Sequence, residues 1–311
     1  MTTHDPQNIS RTLRSPRLSV EIDVPGARYR GSRYDWTSFV RQVTLDGAHT
    51  FCGVESPIPG QGDGGVGLCG EFGIFTALDY EAAKPDEKFS KLGVGMLTRI
   101  DEARYQFSRP YEIEPAIMAS TWTEDSVYLV IEHHDCRGTA ARLEKIIRVE
   151  DNHLIVASRL VNTGAAILRT EEYAHNYLAL DGAPITPDYS LSAPSAIRDM
   201  LIAHQAERGS WGATWTVDEK SLLRAKSPAE GAFYLRAAPP NHTAPPLAEA
   251  GTYWEITNNT TGLTVRETTD FPWWNFALYG TEHTICPEVF IRLNVSPGQY
   301  QSWSRRYTFT D

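Results

Sequence analysis

Residues 153–182 read HLIVASRLVNTGAAILRTEEYAHNYLALDG. From His153 to Val161 the side chains alternate, with β-branched residues among them, which is the period-two pattern of a half-buried strand. Asn162, Thr163 and Gly164 then supply a turn, because Asn and Gly tolerate the backbone conformations a turn needs. Alternation resumes and sets Glu171, Tyr173, His175 and Tyr177 on one face, with Glu172, Ala174, Asn176 and Leu178 on the other. The stretch predicts a strand, a turn and a second strand that presents an imidazole beside two phenols.

The same pattern recurs along the chain. Leu18–Ile22, Ser126–Glu132, Gly231–Arg236, Tyr253–Ile256, Leu263–Arg266 and Val289–Leu293 all alternate. Between them stand turn residues such as Glu124-Asp125, Asp135–Gly138, Glu150–Asn152 and Asn258-Asn259. Helical signal is scarce: Ser195–Glu207 lies between Pro194 and Gly209, and Pro228–Ala232 is a weaker candidate. Many short strands with few short helices predict an all-β sandwich. Residues 1–14 are expected to form a flexible tail, and 15–311 a single domain.

Composition narrows the function. The 311 residues carry 29 Lys and Arg against 39 Asp and Glu, a formal charge of -10, which argues against a nucleic-acid partner. No apolar run reaches membrane-spanning length, and the first residues lack the apolar core of a secretory signal. A cytoplasmic location is expected, with Cys52, Cys69, Cys136 and Cys286 as free thiols and the sequons at Asn259 and Asn294 without glycans. The expected partner is a small molecule, with no membrane, and the chain is expected to be a monomer or homodimer.

Residues 53–75, GVESPIPGQGDGGVGLCGEFGIF, are too rich in glycine for one regular strand and lack the context of a phosphate-binding loop. They read as a loop passing close to a ligand, or as a mobile flap. The Pro-rich stretch Ala237–Pro246 reads as a surface connection. Of nine histidines, His4 falls in the expected tail, and His49, His153, His204 and His242 in turns or on a helix face. His133-His134-Asp135-Cys136 ends a strand without the ligand spacing of a zinc site, and no metal is expected. His175 is either a satisfied core histidine or an acid-base group in a wet cleft. Glu288 opens an otherwise apolar strand, an unfavourable place for a carboxylate without a partner or a task. It is either paired with Arg292, Arg305 or Arg306, or functional.

Taken together, L-x-I-V-x-x-x-L-V-N-T-G at 154–164, E-E-Y-A-H-N-Y-L-A-L-D-G at 171–182, C-P-E at 286–288 and S-P-G-Q-Y-x-x-W-x-x-x-Y-x-F at 296–309 resemble the aldose 1-epimerase (galactose mutarotase-like) superfamily. The resemblance spans most of residues 15–309. It implies a β-supersandwich with its site in a concave cleft, His175 as general acid and Glu288 as general base. It implies no cofactor, since a hemiacetal ring opens by two proton transfers. Arg33, Trp36, Asn176, Asp270, Trp273 and Trp274 are further candidates to contact a sugar.

Relatives carry an L-H-G-G element where this chain reads Leu68-Cys69-Gly70-Glu71-Phe72-Gly73. Cys69 or Glu71 stands in place of the usual histidine, so Glu71 joins the candidates and the substrate stays open. The leading expectation is an isomerase that interconverts the anomers of a sugar or sugar-derived hemiacetal. The alternatives are a lyase or cyclase reusing the acid-base pair on a non-sugar or uronate, and a carbohydrate-binding protein without turnover. A phosphosugar epimerase requires Arg33, Arg99 and Arg292 to converge.

Overall fold

Each alternating segment became a strand, and antiparallel pairing collects the strands into two large sheets and one small one. The computed structural model describes residues 9–311 apart from 38, 240, 242 and 243. The first eight residues of the expected tail, His4 among them, and His242 in the Pro-rich loop therefore lie outside the described residues. In chain-independent order, the nine-stranded sheet runs Ser10–Arg14, Leu18–Asp23, Val40–Leu45, Leu68–Phe72, Leu168–Asn176, Ile285–Val295, Asn275–Gly280 and Phe233–Ala237, with His49–Thr50 paired beside Val40–Leu45. The ten-stranded sheet has Thr264–Thr269, Tyr300–Thr310, His153–Asn162, Thr139–Glu150 and Ser126–Cys136 at its centre.

The two sheets bury one face of each strand against the other, which makes the fold an all-β sandwich. Val20, Val43, Leu143, Leu160, Val265 and Phe309 are among the fully buried apolar side chains of this layer. A charged network threads the same layer. Arg305 donates to Glu267 Oε1 and Glu172 Oε2, each at 2.7 Å, and Trp303 and Trp254 donate to the same two carboxylates. Desolvation pushes the Glu267 carboxyl up, against the pull of Arg305.

Two expectations are corrected. Ser10–Arg14, placed in a tail, is an edge strand paired with Leu18–Asp23, because Leu13 buries its side chain in the core. Pro228–Ala232 is irregular and not helical, since its amides go to Ile185 O and Gly212 O. Ser195–Arg208 is the α-helix, and Ile197 and Leu201 face inward from it. No helix among the described residues is long and apolar enough to cross a membrane.

A three-stranded sheet of Lys88–Lys91, Gly95–Thr98 and Ile113–Pro115 covers one end of the larger sheet. Its aromatic cluster includes Tyr80, Phe89, Tyr105 and Tyr111. This small layer is fixed to the rest through residues 33–36. Asp35, fully buried, pairs with Lys145 of the ten-stranded sheet, and the amides of Asp35 and Trp36 donate to Gly70 O and Gly93 O. His133 closes the junction by accepting the Gly93 amide at 3.0 Å on Nε2.

Burial lowers the His133 imidazole to about 4 despite the nearby Asp35 carboxylate, with His134 adding to the depression. The folded form keeps the ring neutral, so the unfolded chain takes up the proton first as pH falls. Stability should be complete above the ordinary value of 6.5 and decline from there toward about 4. The predicted loss is about 3 kcal/mol over that window. Urea unfolding of wild type and His133→Gln at pH 7, 5 and 4 should show the excess decline only in wild type; equal declines would contradict it.

Candidate functional site

The strand Leu168–Asn176 has two faces with different work. Asn176 and Glu172 point between the sheets, where Asn176 accepts from Tyr307 Oη at 3.0 Å and donates to Pro287 O at 2.6 Å. Glu171, Tyr173 and His175 consequently face the other way, onto the outer surface of the nine-stranded sheet. The neighbouring strand Ile285–Val295 pairs Glu172 with Ile291 and Tyr173 with Phe290. Carried two residues on, that register sets His175 opposite Glu288 on the same face.

There the imidazole and the carboxylate meet: His175 Nδ1 lies 2.6 Å from Glu288 Oε1, with both side chains almost wholly buried. The oxygen sits off the direction in which the ring N–H points, so this is a close contact without an aligned hydrogen bond. Glu288 pairs with none of Arg292, Arg305 and Arg306 among the described residues. The two groups form a cross-strand pair in one wall.

Arg33 approaches His175 from the other side. Its Nη2 lies 2.9 Å from His175 Nε2, its Nε donates to Glu71 Oε2 at 3.0 Å and its Nη1 to Asp63 Oδ2 at 2.5 Å. A guanidinium only donates. His175 Nε2 must therefore accept, which assigns the ring's single proton to Nδ1, the nitrogen beside Glu288. The Arg33 plane also lies over Phe107, 4.2 Å from the ring centroid. Tyr177 stacks parallel to the imidazole with centroids 5.0 Å apart, which fixes the ring's tilt.

Below this layer Glu71 is fully buried and binds Arg33, Lys91 Nζ at 3.2 Å and Tyr173 Oη at 2.6 Å. Burial pushes its carboxyl up, but Lys91 and Arg33 overcome that and hold it below the ordinary range. Glu71 supports the floor and does not reach the surface of the site.

Above the pair opens a cavity of about 450 Å³. Arg33, His175 and Glu288 line it together, joined by Glu55 and Asp63 from the glycine-rich stretch and by the rings of Phe75, Phe107, Tyr177, Tyr234, Tyr279 and Phe290. Burial raises the phenols of Tyr234 and Tyr279 to about 12, so both stay protonated near neutral pH. Gly65 is required where it stands, because a Cβ there would lie 2.4 Å from the Tyr177 ring.

The remaining candidates lie elsewhere. Trp36 is buried in the aromatic cluster of the small sheet and donates to Gly31 O. Asn176 is taken up by the core between the sheets. Asp270 accepts from the Ser304 amide and hydroxyl on the far sheet. Trp273 is fully buried, stacked on Phe276 and bonded to Thr269. Trp274 lines a separate trough of about 380 Å³ with Arg169, Glu171, Arg292 and Asn294, beyond the ridge of Phe75 and Phe290. Cys69 is buried beside Tyr34, Tyr177 and Cys286. Arg99 donates to Tyr80 O and Ala83 O in the small layer, and Arg292 lines the trough, so the three arginines do not converge.

Solved structures share this architecture. The galactose mutarotase related enzyme from Lactobacillus acidophilus superposes with a TM-score of 0.57 at 10% identity, covering 97% of this chain and 97% of that one. A galactose mutarotase-like protein from Lactobacillus casei gives 0.55 at 10% identity over 97% of this chain and 100% of that one. Another from Clostridium acetobutylicum gives 0.53 at 10% identity over 96% and 94%. The fold is galactose mutarotase-like. No family model matches the sequence, and no curated protein does.

Within this mutarotase-like sandwich, Arg33 is the side chain that joins buried floor to open cavity. Replacing it with Met would leave, among the described residues, Glu71 with Lys91 as its remaining cation and Asp63 with none. The expected cost is about 3–5 kcal/mol, because a buried charge loses its partner. Urea unfolding measures it, and Arg33→Lys, which keeps the charge but not the three-way geometry, should fall between. An Arg33→Met variant as stable as wild type would show that Lys91 alone suffices.

Proposed function

We propose that the protein interconverts the anomers of a sugar or sugar-derived hemiacetal by acid-base ring opening. The observation that carries this reading is the 2.6 Å contact between His175 Nδ1 and Glu288 Oε1 in the wall of a cavity large enough for a pyranose. Ring opening moves one proton from the anomeric hydroxyl to the ring oxygen. It needs a base for the first atom and a donor for the second.

Glu288 supplies the base. Its carboxylate takes the proton of the anomeric hydroxyl as the bond from the anomeric carbon to the ring oxygen breaks. The departing ring oxygen gathers negative charge and takes the proton from His175 Nδ1. Arg33, donating into Nε2, lowers the energy of the ring as it gives that proton up, as a neutral imidazole does when it serves as an electrophile. The Glu288 acid then returns its proton to Nδ1 across the short contact, so the pair is restored and the open aldehyde is free to rotate about its first carbon–carbon bond. Closure on the other face runs the same steps backward. Proton count balances without a cofactor.

The cavity walls suit a sugar. Aromatic rings offer faces to the C–H patches of a pyranose, and the protonated phenols of Tyr234 and Tyr279 offer hydroxyl contacts. A phosphosugar is not favoured, because the arginines it would require lie apart.

Anomer exchange measured by one-dimensional NMR over a panel of aldoses tests the proposal. Glu288→Gln and His175→Asn should each lower kcat/KM by about 10²–10⁴. Their melting temperatures should show that both variants fold. No acceleration by wild type on any member of the panel would rule the reading out.

A further inference from the structure

The charge of the cavity goes further than its shape. Glu55, Asp63 and Glu288 face one guanidinium, that of Arg33, so the lining carries two negative charges in excess among the described residues. Each nitrogen of that cation already has a partner within the chain: Nε donates to Glu71, Nη1 to Asp63 and Nη2 to His175, so most of its N–H groups are spent before a phosphate or carboxylate arrives.

Glu288 is in the opposite condition. It is nine-tenths buried, yet no aligned donor reaches its Oε1, and its nearest neighbour is a neutral imidazole. Glu55 spends Oε2 on the amides of Asp63 and Gly65, while its Oε1 stands 3.6 Å from Arg33. Tyr234 and Tyr279 add aromatic rings to the lining, and an aromatic face attracts a cation.

From this geometry we infer that the substrate carries a protonated amine: an amino sugar in its hemiacetal form. A neutral hexose would fit but would leave the excess charge uncompensated. A sugar phosphate or uronate would enter against it. The inference deepens the anomer-exchange reading and rests on it only for turnover; selective binding stands without it.

Calorimetric titration of the full chain with D-glucosamine, D-glucose, N-acetyl-D-glucosamine, D-glucuronate and glucose 6-phosphate tests the selectivity, with NMR anomer exchange run on the same set. The expected order places glucosamine about 10-fold tighter than glucose or the N-acetyl sugar, with both anions weaker than glucose. The N-acetyl sugar keeps the nitrogen and removes its charge. Raising the ionic strength should narrow the gap, and so should Glu55→Gln or Asp63→Asn. Equal binding of glucosamine and glucose, tighter binding of either anion, or no binding at all overturns the inference. Selective binding of glucosamine without exchange of its anomers supports the inference and rejects the catalytic reading.

Discussion

The guanidinium of Arg33 ties the floor of the cavity to its chemistry. Glu71 lies below it, His175 beside it, Asp63 above and the Phe107 ring across its face. A cation held this firmly does two things. It shares with Lys91 the compensation of a fully buried carboxylate, and it dictates which nitrogen of His175 carries the proton. That the proton sits on Nδ1, the nitrogen nearer Glu288, follows from the donor-only character of arginine.

The placement of Arg33 in turn depends on Asp35 and Trp36. Asp35 anchors the segment to Lys145 on the opposite sheet, and Trp36 packs it into the small aromatic layer. The stretch Arg33-Tyr34-Asp35-Trp36 thereby points four neighbouring side chains at different tasks. Only the first reaches the cavity. The small sheet contributes Lys91 from beneath, and Phe107, packed against its aromatic cluster, lies over Arg33, so this layer shapes both the electrostatics and the wall of the site.

The strand Leu168–Asn176 divides its labour by parity. Tyr173 and His175 serve the cavity, while Glu172 and Asn176 hold the sheets together through Arg305, Trp303 and Tyr307. Asn176 was a reasonable candidate by its neighbourhood in sequence and a poor one by its parity. Trp273 and Trp274, just before the strand Asn275–Gly280, are likewise split, one in the core and one in a different trough. Pairs of adjacent aromatics do not make a platform when the backbone turns them apart.

By itself, the sequence determined what depends on neighbours along the chain. Period-two alternation and the turns between segments specified strands, an all-β sandwich and the face on which His175 lies, because side-chain direction in a strand follows from position alone. It also marked Glu288 as a carboxylate out of place. What only the tertiary structure decided is which strand lies beside which. The register between Leu168–Asn176 and Ile285–Val295 brought His175 and Glu288 into contact in one wall. The glycine-rich loop delivered Glu55 and Asp63, and Arg33 came from the beginning of the chain to meet them. Hydrogen bonds between strands carry no sequence label, so pairing is settled by how the whole core packs, and with it the charge of the cavity.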